Sequence, residues 1–595
     1  MNVQAYSLIS DPDIHPQSRY LACKGMARGY ADTLNEDSKL QYARAYCAHV
    51  LKAYWVELCR QQEASIEIKS LSTKVPLPDL IEDVQHLAVE TGKLVASFPV
   101  EDAGYLIGSI YTVMLPSSIR SELGAFYTPP PLVARLLDLA EEAGFDFENG
   151  SAIDPACGGG AFLAPLALRM WQSSQNASPE WLLKRLGKRL KGIEIDPFSA
   201  WMTHVLLEAA LLPLCVATKR RLPADLVIAG DALQSRNIGH FDLVIGNPPY
   251  GRMSLSTELR SVYSRSLYGH ANLYGLFTDL ALHLAKDGGV ISYLTPTSFL
   301  AGQYFKALRG LLLEEGAPVA FDFIADREGV FDDVLQETLL SSFRKGGKKQ
   351  KVSLSELTTL GIHEMEIKSV GDAVVPSDNS PWFLPRKAAD VDFVNKLRKM
   401  PTRLSDLGYS ISTGPLVWNR FKSQLRPRRT QGAFPLIWAE SVGVDGFVFR
   451  SQRKNHEPYI EIEKHQQYLV SGQSCVLVQR TSAKEQNRRL VSAVLPQSFL
   501  DENGGAVIEN HLNMIYGSDL LIEISPKAIE VLLNTRVVDR AFRCISGSVS
   551  VSAYELNSLP IPTVEQMKEL DVLIANNAPK LKIERKVASF YGESV

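Results

Sequence analysis

The sequence predicts an α/β protein: a mostly parallel, doubly wound sheet preceded by a helical region and followed by a mixed one. Three observations predict it. Apolar strand-like runs alternate with helical patterns between residues 118 and 345, the layout of a sheet covered on both faces. A glycine-rich turn, Asp154-Pro155-Ala156-Cys157-Gly158-Gly159-Gly160, closes the strand-like Ser151-Ala152-Ile153. A second apolar run, Phe241-Asp242-Leu243-Val244-Ile245-Gly246, ends on Asn247-Pro248-Pro249-Tyr250. In open α/β sheets, ligands bind at such carboxyl strand ends.

From the amino end, residues 1–117 space Ala43, Cys47, Leu51, Tyr54 and Leu58 three and four apart, the period of a half-buried helix. A helical domain is expected there, with no task legible in it. Met1-Asn2-Val3-Gln4-Ala5 lacks the basic-then-apolar layout of a signal peptide. The longest apolar stretch, Trp201 to Thr218, is interrupted by His204, Glu208 and Pro213 and reads as one buried helix, not a membrane span. A length of 595 residues suggests about three to four domains. Seven cysteines without a Cys-x-x-Cys pair give neither a zinc framework nor a secreted disulfide pattern. A cytoplasmic protein is expected.

Within residues 118–345 the glycine turn states a ligand preference. Three successive glycines let the backbone approach a ligand closely, and the helix that follows offers its amino end to an anion. Asp154 adds a negative charge. The pair suits a ligand carrying both a carboxylate and an ammonium, as the amino-acid end of S-adenosylmethionine does. A dinucleotide site would space its glycines G-x-G-x-x-G with an acid about 20 residues on. Here the glycines are contiguous and the next strand-end acid, Glu194, lies much further along.

The Asn-Pro-Pro-Tyr segment states another. Two prolines fix the backbone and remove two N–H donors. The Asn247 side chain and a proline-held carbonyl can then accept both hydrogens of an exocyclic amine. Tyr250 can stack on the ring that carries it. Cys157, inside the glycine turn, is expected only to pack.

On these residues the chain resembles the DNA adenine-N6 methyltransferases of bacterial type II restriction–modification systems, in the subgroup with the cofactor motif first and the recognition region last. The resemblance covers about residues 118–345 strongly and 400–562 more loosely. It implies a Rossmann-like S-adenosylmethionine-dependent methyltransferase domain between a helical amino-terminal domain and an α+β DNA-recognition domain. Gly124-Ala125-Phe126-Tyr127-Thr128-Pro129-Pro130 resembles the segment that covers the methionine end of the cofactor. Gly192-Ile193-Glu194-Ile195-Asp196-Pro197 resembles the second strand end, where Glu194 would bind the ribose hydroxyls and Ile195 would pack on adenine. Gly230-Asp231-Ala232 resembles the third, where Asp231 would accept from the cofactor's amine. The implied cofactor set is Thr128, Asp154, Ala156, Gly158, Glu194, Ile195, Asp231, Ala232 and Asn247. The implied catalytic set is Asn247, Pro248, Tyr250 and Phe331, the last from Glu328-Gly329-Val330-Phe331, which resembles the segment that stacks on the flipped base. Asn272 to Phe277 and Gly288 to Leu294 resemble the next helix and strand. No metal is implied.

Residues 346–400 read as a connector, with the turn-rich Pro376-Ser377-Asp378-Asn379-Ser380-Pro381 inside it. From 401 to 562 short strands such as Ser474 to Gln479 alternate with polar loops and later helices, near Pro526 to Leu533 for instance. This is the expected target-recognition domain, and 563–595 the closing helical segment. The net charge of −3 argues weakly against nucleic acid, because clustering matters more than the total. Arg420, Lys422, Arg426, Arg428 and Arg429, interleaved with Trp418 and Phe421, are the expected DNA contacts, since guanidinium forks suit phosphate oxygens and guanine edges. Arg344 to Lys351 reads as a solvated basic loop. The expected partners are double-stranded DNA and a separate restriction endonuclease.

Rival readings leave marks to check. A fused nuclease needs an acid and a Glu-x-Lys, and Glu67-Ile68-Lys69 and Glu366-Ile367-Lys368 match the short half of that pattern. A methyltransferase of protein glutamine could use the same pocket, but the arginine-bearing carboxyl region would then lack a purpose. A non-catalytic DNA-binding subunit does not fit an intact Asp154, Asn247 and Tyr250. Enzymes acting on cytosine N4 usually carry Ser or Thr where Asn247 stands.

Overall fold

The computed structural model describes residues 11, 13–72, 75–124, 127–174, 177–325, 337–348, 351–361, 364–481, 488–517, 523–545 and 550–594. The chain divides into two compact units, residues 1–296 with 310–369 and residues 297–309 with 370–595.

The first unit is built on a sheet whose strands run β1 Ala152–Asp154, β2 Leu190–Glu194, β3 Val227–Ala229 and β4 Phe241–Gly246. A two-stranded ribbon follows, β5 Arg252–Met253 against β6 Ala271–Asn272. Then come β7 Ala285–Pro296, β8 Gly316–Ile324, β9 Thr338–Lys345, β10 Val352–Thr359 and β11 Met365–Ala373. The main sheet has the order β11-β10-β8-β9-β7-β4-β1-β2-β3. Strands β1 to β4 and β7 are mutually parallel, while β9 runs antiparallel to β7 and β8. Strands β1 and β4 are neighbours, yet the chain leaves them toward opposite edges. Such a reversal opens a crevice at the carboxyl ends.

Two cores flank the sheet. One gathers Leu132, Leu136, Leu163, Leu166, Leu207, Leu243 and Ile245 between sheet and helices. The other is formed by the helices Pro16–Asp32, Glu36–Gln61, Glu82–Val95 and Ala103–Met114. Ala43, Cys47, Leu51, Tyr54 and Leu58 are all buried in it, as their spacing predicts. This second core also takes in Phe198, Trp201, Met202 and Val205 from the helix after β2, so the amino-terminal helices share a hydrophobic interior with the sheet's own layer.

The stretch Trp201 to Thr218 departs from the single helix expected. It is two helices, Pro197–Ala210 and Leu212–Thr218, bent by 69°. Pro213 is tolerated in the first turn of the second helix, where its missing N–H costs nothing. His204 and Glu208 are buried and face Arg221, whose guanidinium pairs with the Glu208 carboxylate. No single helix among the described residues is long and apolar enough to cross a membrane. Within residues 346–400, expected as a mixed connector, β10 and β11 lie at the sheet's edge.

The second unit carries a four-stranded antiparallel sheet, Tyr409–Thr413, Leu512–Gly517, Cys475–Gln479 and Ser492–Leu495 in that order. A five-stranded sheet is centred on Ala433–Ile437. The helices Pro526–Leu533, Arg536–Ile545, Val564–Ala575 and Lys580–Phe590 pack with the first sheet around Ile529, Phe542, Met567 and Val587.

Candidate active site

The carboxyl ends of β1, β2, β3 and β4 surround a cavity of about 530 Å³, the size of a small-molecule site. Thr128, Ala156, Gly158, Glu194, Ile195, Asp231, Ala232, Asn247 and Tyr250 all line it. Pro248 is buried beside them. Phe331 lies outside the described residues.

Strand β1 delivers Asp154, which is 1% exposed. Its Oδ1 accepts from the Ala156 N–H at 3.0 Å, and its Oδ2 is buried with no hydrogen-bond partner. Burial, aided by the nearby Glu194, pushes its carboxyl up to about 8. An orphaned buried carboxylate oxygen is costly unless a ligand satisfies it. The neighbouring strand makes room for this acid. A Cβ on Gly246, which ends β4 at φ +155°, would lie 2.6 Å from Asp154 Oδ1.

The glycine turn has the backbone its composition requires, with φ +51° at Gly158 and +82° at Gly160. Thr203 Oγ1 donates to the Gly158 carbonyl at 2.5 Å. Cys157 is buried against Gly192, the packing role expected of it. The following helix begins at Leu163, with no side chain capping its first turn.

Strand β2 ends on Glu194. Its Oε2 accepts from Gly158 N–H and its Oε1 from Asp196 N–H, each at 2.9 Å. Burial pushes this carboxyl up to about 7. The Ile195 N–H also faces this carboxylate, and a carboxylate has about four acceptor sites in all, so capacity for a ligand hydroxyl remains. Ile195 is 58% exposed on the cavity wall, an apolar face without an apolar cover. Beyond β3, Asp231 Oδ1 caps Leu233 N–H at 3.0 Å and Oδ2 accepts from Gln234 Nε2 at 2.8 Å.

On the β4 side, Asn247 Nδ2 donates to Thr128 Oγ1 at 3.2 Å and Oδ1 accepts from the Tyr250 hydroxyl at 2.7 Å. The same hydroxyl lies 3.3 Å from the Leu294 carbonyl on β7. Tyr274 meets the Tyr250 ring edge-on at 6.1 Å. Burial raises the Tyr250 hydroxyl far above the usual tyrosine range, so it stays a neutral donor. The cavity thus has two ends. One has buried carboxylates and glycine backbone for a cationic, hydroxyl-bearing ligand; the other has an oriented carboxamide and a phenol. S-adenosylmethionine fits the first end: Ile195 lacks a cover for a base, and Asp154, which lies behind the lining residues, has an Oδ2 without a hydrogen-bond partner.

Sequence reading passed over several lining residues. Tyr127, Phe162, Ser199, Arg252 and Phe277 also face the cavity. Tyr127 stood inside a quoted segment, and Arg252 only two positions after Tyr250, so adjacency was the available signal. Among the described residues, Arg252 is the one Lys, Arg or His that lines the cavity.

In the second unit the basic segment separates into two kinds of residue. Arg426 is held by Glu461 at 2.5 Å and by the Ser423 and Leu425 carbonyls. Arg429 donates to Asn503. Lys422 sits over the Trp418 ring at 5.5 Å. Arg420 and Arg428 are exposed. Of the basic run 344–351, Arg344 and Lys345 belong to β9 and donate to the Gly288 and Ala285 carbonyls.

Comparison with known proteins agrees with the site. Residues 216–331 match the Eco57I restriction-modification methylase family. The chain is 25% identical over 464 residues to the type II methyltransferase M.BsuBI of Bacillus subtilis, covering 77% of this chain and 91% of that one. It is 28% identical over 338 residues to M.PstI of Providencia stuartii, covering 56% and 66%. Among solved structures, the type IIL restriction-modification enzyme MmeI in complex with DNA shares the fold, with a TM-score of 0.51 at 14% identity over 100% of this chain and 97% of that one. The chain is therefore similar to the methyltransferases of restriction–modification systems.

Proposed function

We propose that this chain transfers the methyl group of S-adenosylmethionine to N6 of an adenine rotated out of duplex DNA, at a specific site, and so protects that DNA from a cognate restriction endonuclease. One observation carries the reading: Asn247 and Tyr250 open onto the same cavity as Asp154's turn, Glu194, Ile195 and Asp231.

When bound, S-adenosylmethionine supplies an electrophilic methyl on a cationic sulfur. Asp154 and the glycine turn would hold its amino-acid end, Glu194 its ribose, and Ile195 with Asp231 its base. The residues at the other end handle the nucleophile. The N6 amine of adenine is conjugated into its ring, so its lone pair is poorly available. Asn247 Oδ1 and the Pro248 carbonyl accept its two hydrogens and draw the nitrogen toward tetrahedral geometry. Rotating the base out of the duplex costs a few kcal/mol, and stacking on Tyr250 offsets about 1–3 kcal/mol of that. Fixed dipoles and positioning supply most of the acceleration. In the second unit Arg420, Lys422, Arg428 and Arg429 are the phosphate and base contacts this reading assigns, with Phe331 as a second stacking ring.

The nuclease pattern finds no support in its own residues. The Glu67 carbonyl accepts from Arg221 and the Lys69 carbonyl from Trp201, so this segment is strapped down along its backbone. Glu366 and Lys368 pair with each other at 2.9 Å. Long-read sequencing of DNA from cells expressing the chain tests the proposal. Modified adenines at one recurring motif support it; a DNA without modified adenines refutes it.

A further inference from the structure

The amino-terminal helices reach the cofactor end of the cavity through a chain of buried polar contacts. Arg44, on the helix Glu36–Gln61, forms an ion pair with Asp196 at 2.6 Å, with side-chain exposures of 15% and 1%. Tyr111, on the helix Ala103–Met114, donates to the other oxygen of Asp196 at 3.3 Å. Asp196 caps the helix that follows β2, accepting from Phe198 N–H and from the Ser199 N–H and hydroxyl. Its own N–H holds Glu194 Oε1.

The same helices press on the glycine turn. A Cβ on Gly108 would lie 2.2 Å from the Tyr127 ring, and one on Gly159 would lie 2.5 Å from it. Tyr127 is therefore sandwiched between the helix Ala103–Met114 and the turn. A Cβ on Gly104 would lie 3.1 Å from the Ala161 backbone. The glycines at 104 and 108 let a helix backbone approach the cofactor loop where larger residues would hold it off.

We propose that the amino-terminal helical layer is the rear wall of the cofactor site, and that Arg44 is a positioning residue: by neutralising Asp196 it fixes the β2 turn that presents Glu194 and Ile195. This inference rests on the S-adenosylmethionine reading of the cavity and gives the helical layer a task within it. Removing Arg44 leaves the buried Asp196 carboxylate with neutral donors only and no counter-charge, a costly state. The turn then shifts to reach water. Glu194 is also sensitive to that charge, because a like charge nearby disfavours its ionised form. The titratable groups facing Glu194 are Asp154 on β1, Cys157 in the turn, Tyr127, and Asp196 itself, with Arg44 and Tyr111 behind it.

The test is calorimetric binding of S-adenosylmethionine to the full chain across pH, beside duplex binding measured without cofactor. Arg44→Met should bind cofactor about tenfold more weakly, the scale of coupling through one packed network, and its binding should need a higher pH. Duplex affinity should stay at the wild-type level. Arg44→Lys should recover most of the loss. In an Asp196→Asn background, where the asparagine still caps the helix, Arg44→Met should add little. Tyr111→Phe removes one hydroxyl and guards against a misfolded Arg44 variant; it should move affinity and pH midpoint the same way by less. Wild-type cofactor affinity and midpoint in both Arg44→Met and Tyr111→Phe would overturn the inference alone. A wild-type chain that binds no S-adenosylmethionine would overturn the cofactor reading and this inference with it.

Discussion

The Tyr250 hydroxyl donates to Asn247 Oδ1 at 2.7 Å, which orients the carboxamide before any base arrives. With Asn247 Nδ2 committed to Thr128, the amide plane is held at both ends. The carboxamide oxygen is the group that the proposed mechanism presents to an incoming amine.

Asn247→Ala removes that acceptor and one hydrogen bond to Thr128, and leaves Asp154, Glu194 and Asp231 in place. Cofactor binding should persist while turnover on duplex DNA falls about 10²–10³-fold, the usual cost of one transition-state hydrogen-bonding group. Stopped turnover assays beside calorimetry separate the two. Unchanged turnover would remove Asn247 from the mechanism.

Tyr250 does two jobs, and two substitutions separate them. Tyr250→Phe keeps the ring but loses the orienting donor, so turnover should drop about tenfold, roughly one net hydrogen bond, with base rotation intact. Tyr250→Ala should lose rotation as well. 2-Aminopurine at the target position reports it: its fluorescence should rise with wild type and Tyr250→Phe, and stay flat with Tyr250→Ala. Full turnover in Tyr250→Phe would show the hydroxyl to be idle.

Binding of the cofactor should release protons. Burial holds Asp154 up to about 8 and Glu194 up to about 7 in the bare site. A cationic ligand favours their ionised forms and lowers both values. Affinity should therefore rise with pH as these carboxyls ionise, until the ligand's own α-ammonium begins to lose its proton near about pH 8. Calorimetry in two buffers of different ionisation enthalpy counts the protons. Asp154→Asn should remove the upper part of the dependence, and net proton uptake would contradict the assignment.

Gly246→Ala places a methyl against Asp154 at the end of β4. The clash and the positive φ should cost about 1–3 kcal/mol of stability, read by denaturant unfolding. Cofactor affinity should fall further than stability does, because the displaced carboxylate is the one proposed to meet the ammonium. An Ala variant with wild-type affinity would place Asp154 outside the ligand's reach.

In the basic segment the guanidinium partners sort the outcomes. Arg420→Ala and Arg428→Ala should each lower the slope of log affinity against log salt by about 1, as loss of one phosphate contact does. Arg426→Ala loses a surface ion pair with Glu461 instead, so it should change the second unit's stability little and leave the slope alone.

Much of this was legible from residues alone. Asn-Pro-Pro-Tyr and the Asp154 turn were readable because each states its chemistry locally, through prolines, glycines and a strand-end position. The fold followed because strand and helix periods differ. The break at Leu211 was not readable: Pro213 suits a first turn as well as an interruption, and only packing chooses. Nor was the pairing of Arg44 with Asp196, which joins a helix to a turn far along the chain. Arg426 and Arg428 look alike in sequence, and only the strand carrying Glu461 tells them apart.

The most direct measurement digests duplex DNA to nucleosides after reaction with methyl-labelled S-adenosylmethionine and the purified chain, and weighs the products. The account predicts the label in N6-methyldeoxyadenosine, absent with Asn247→Ala. Label in N4-methyldeoxycytidine, in protein, or nowhere would contradict it.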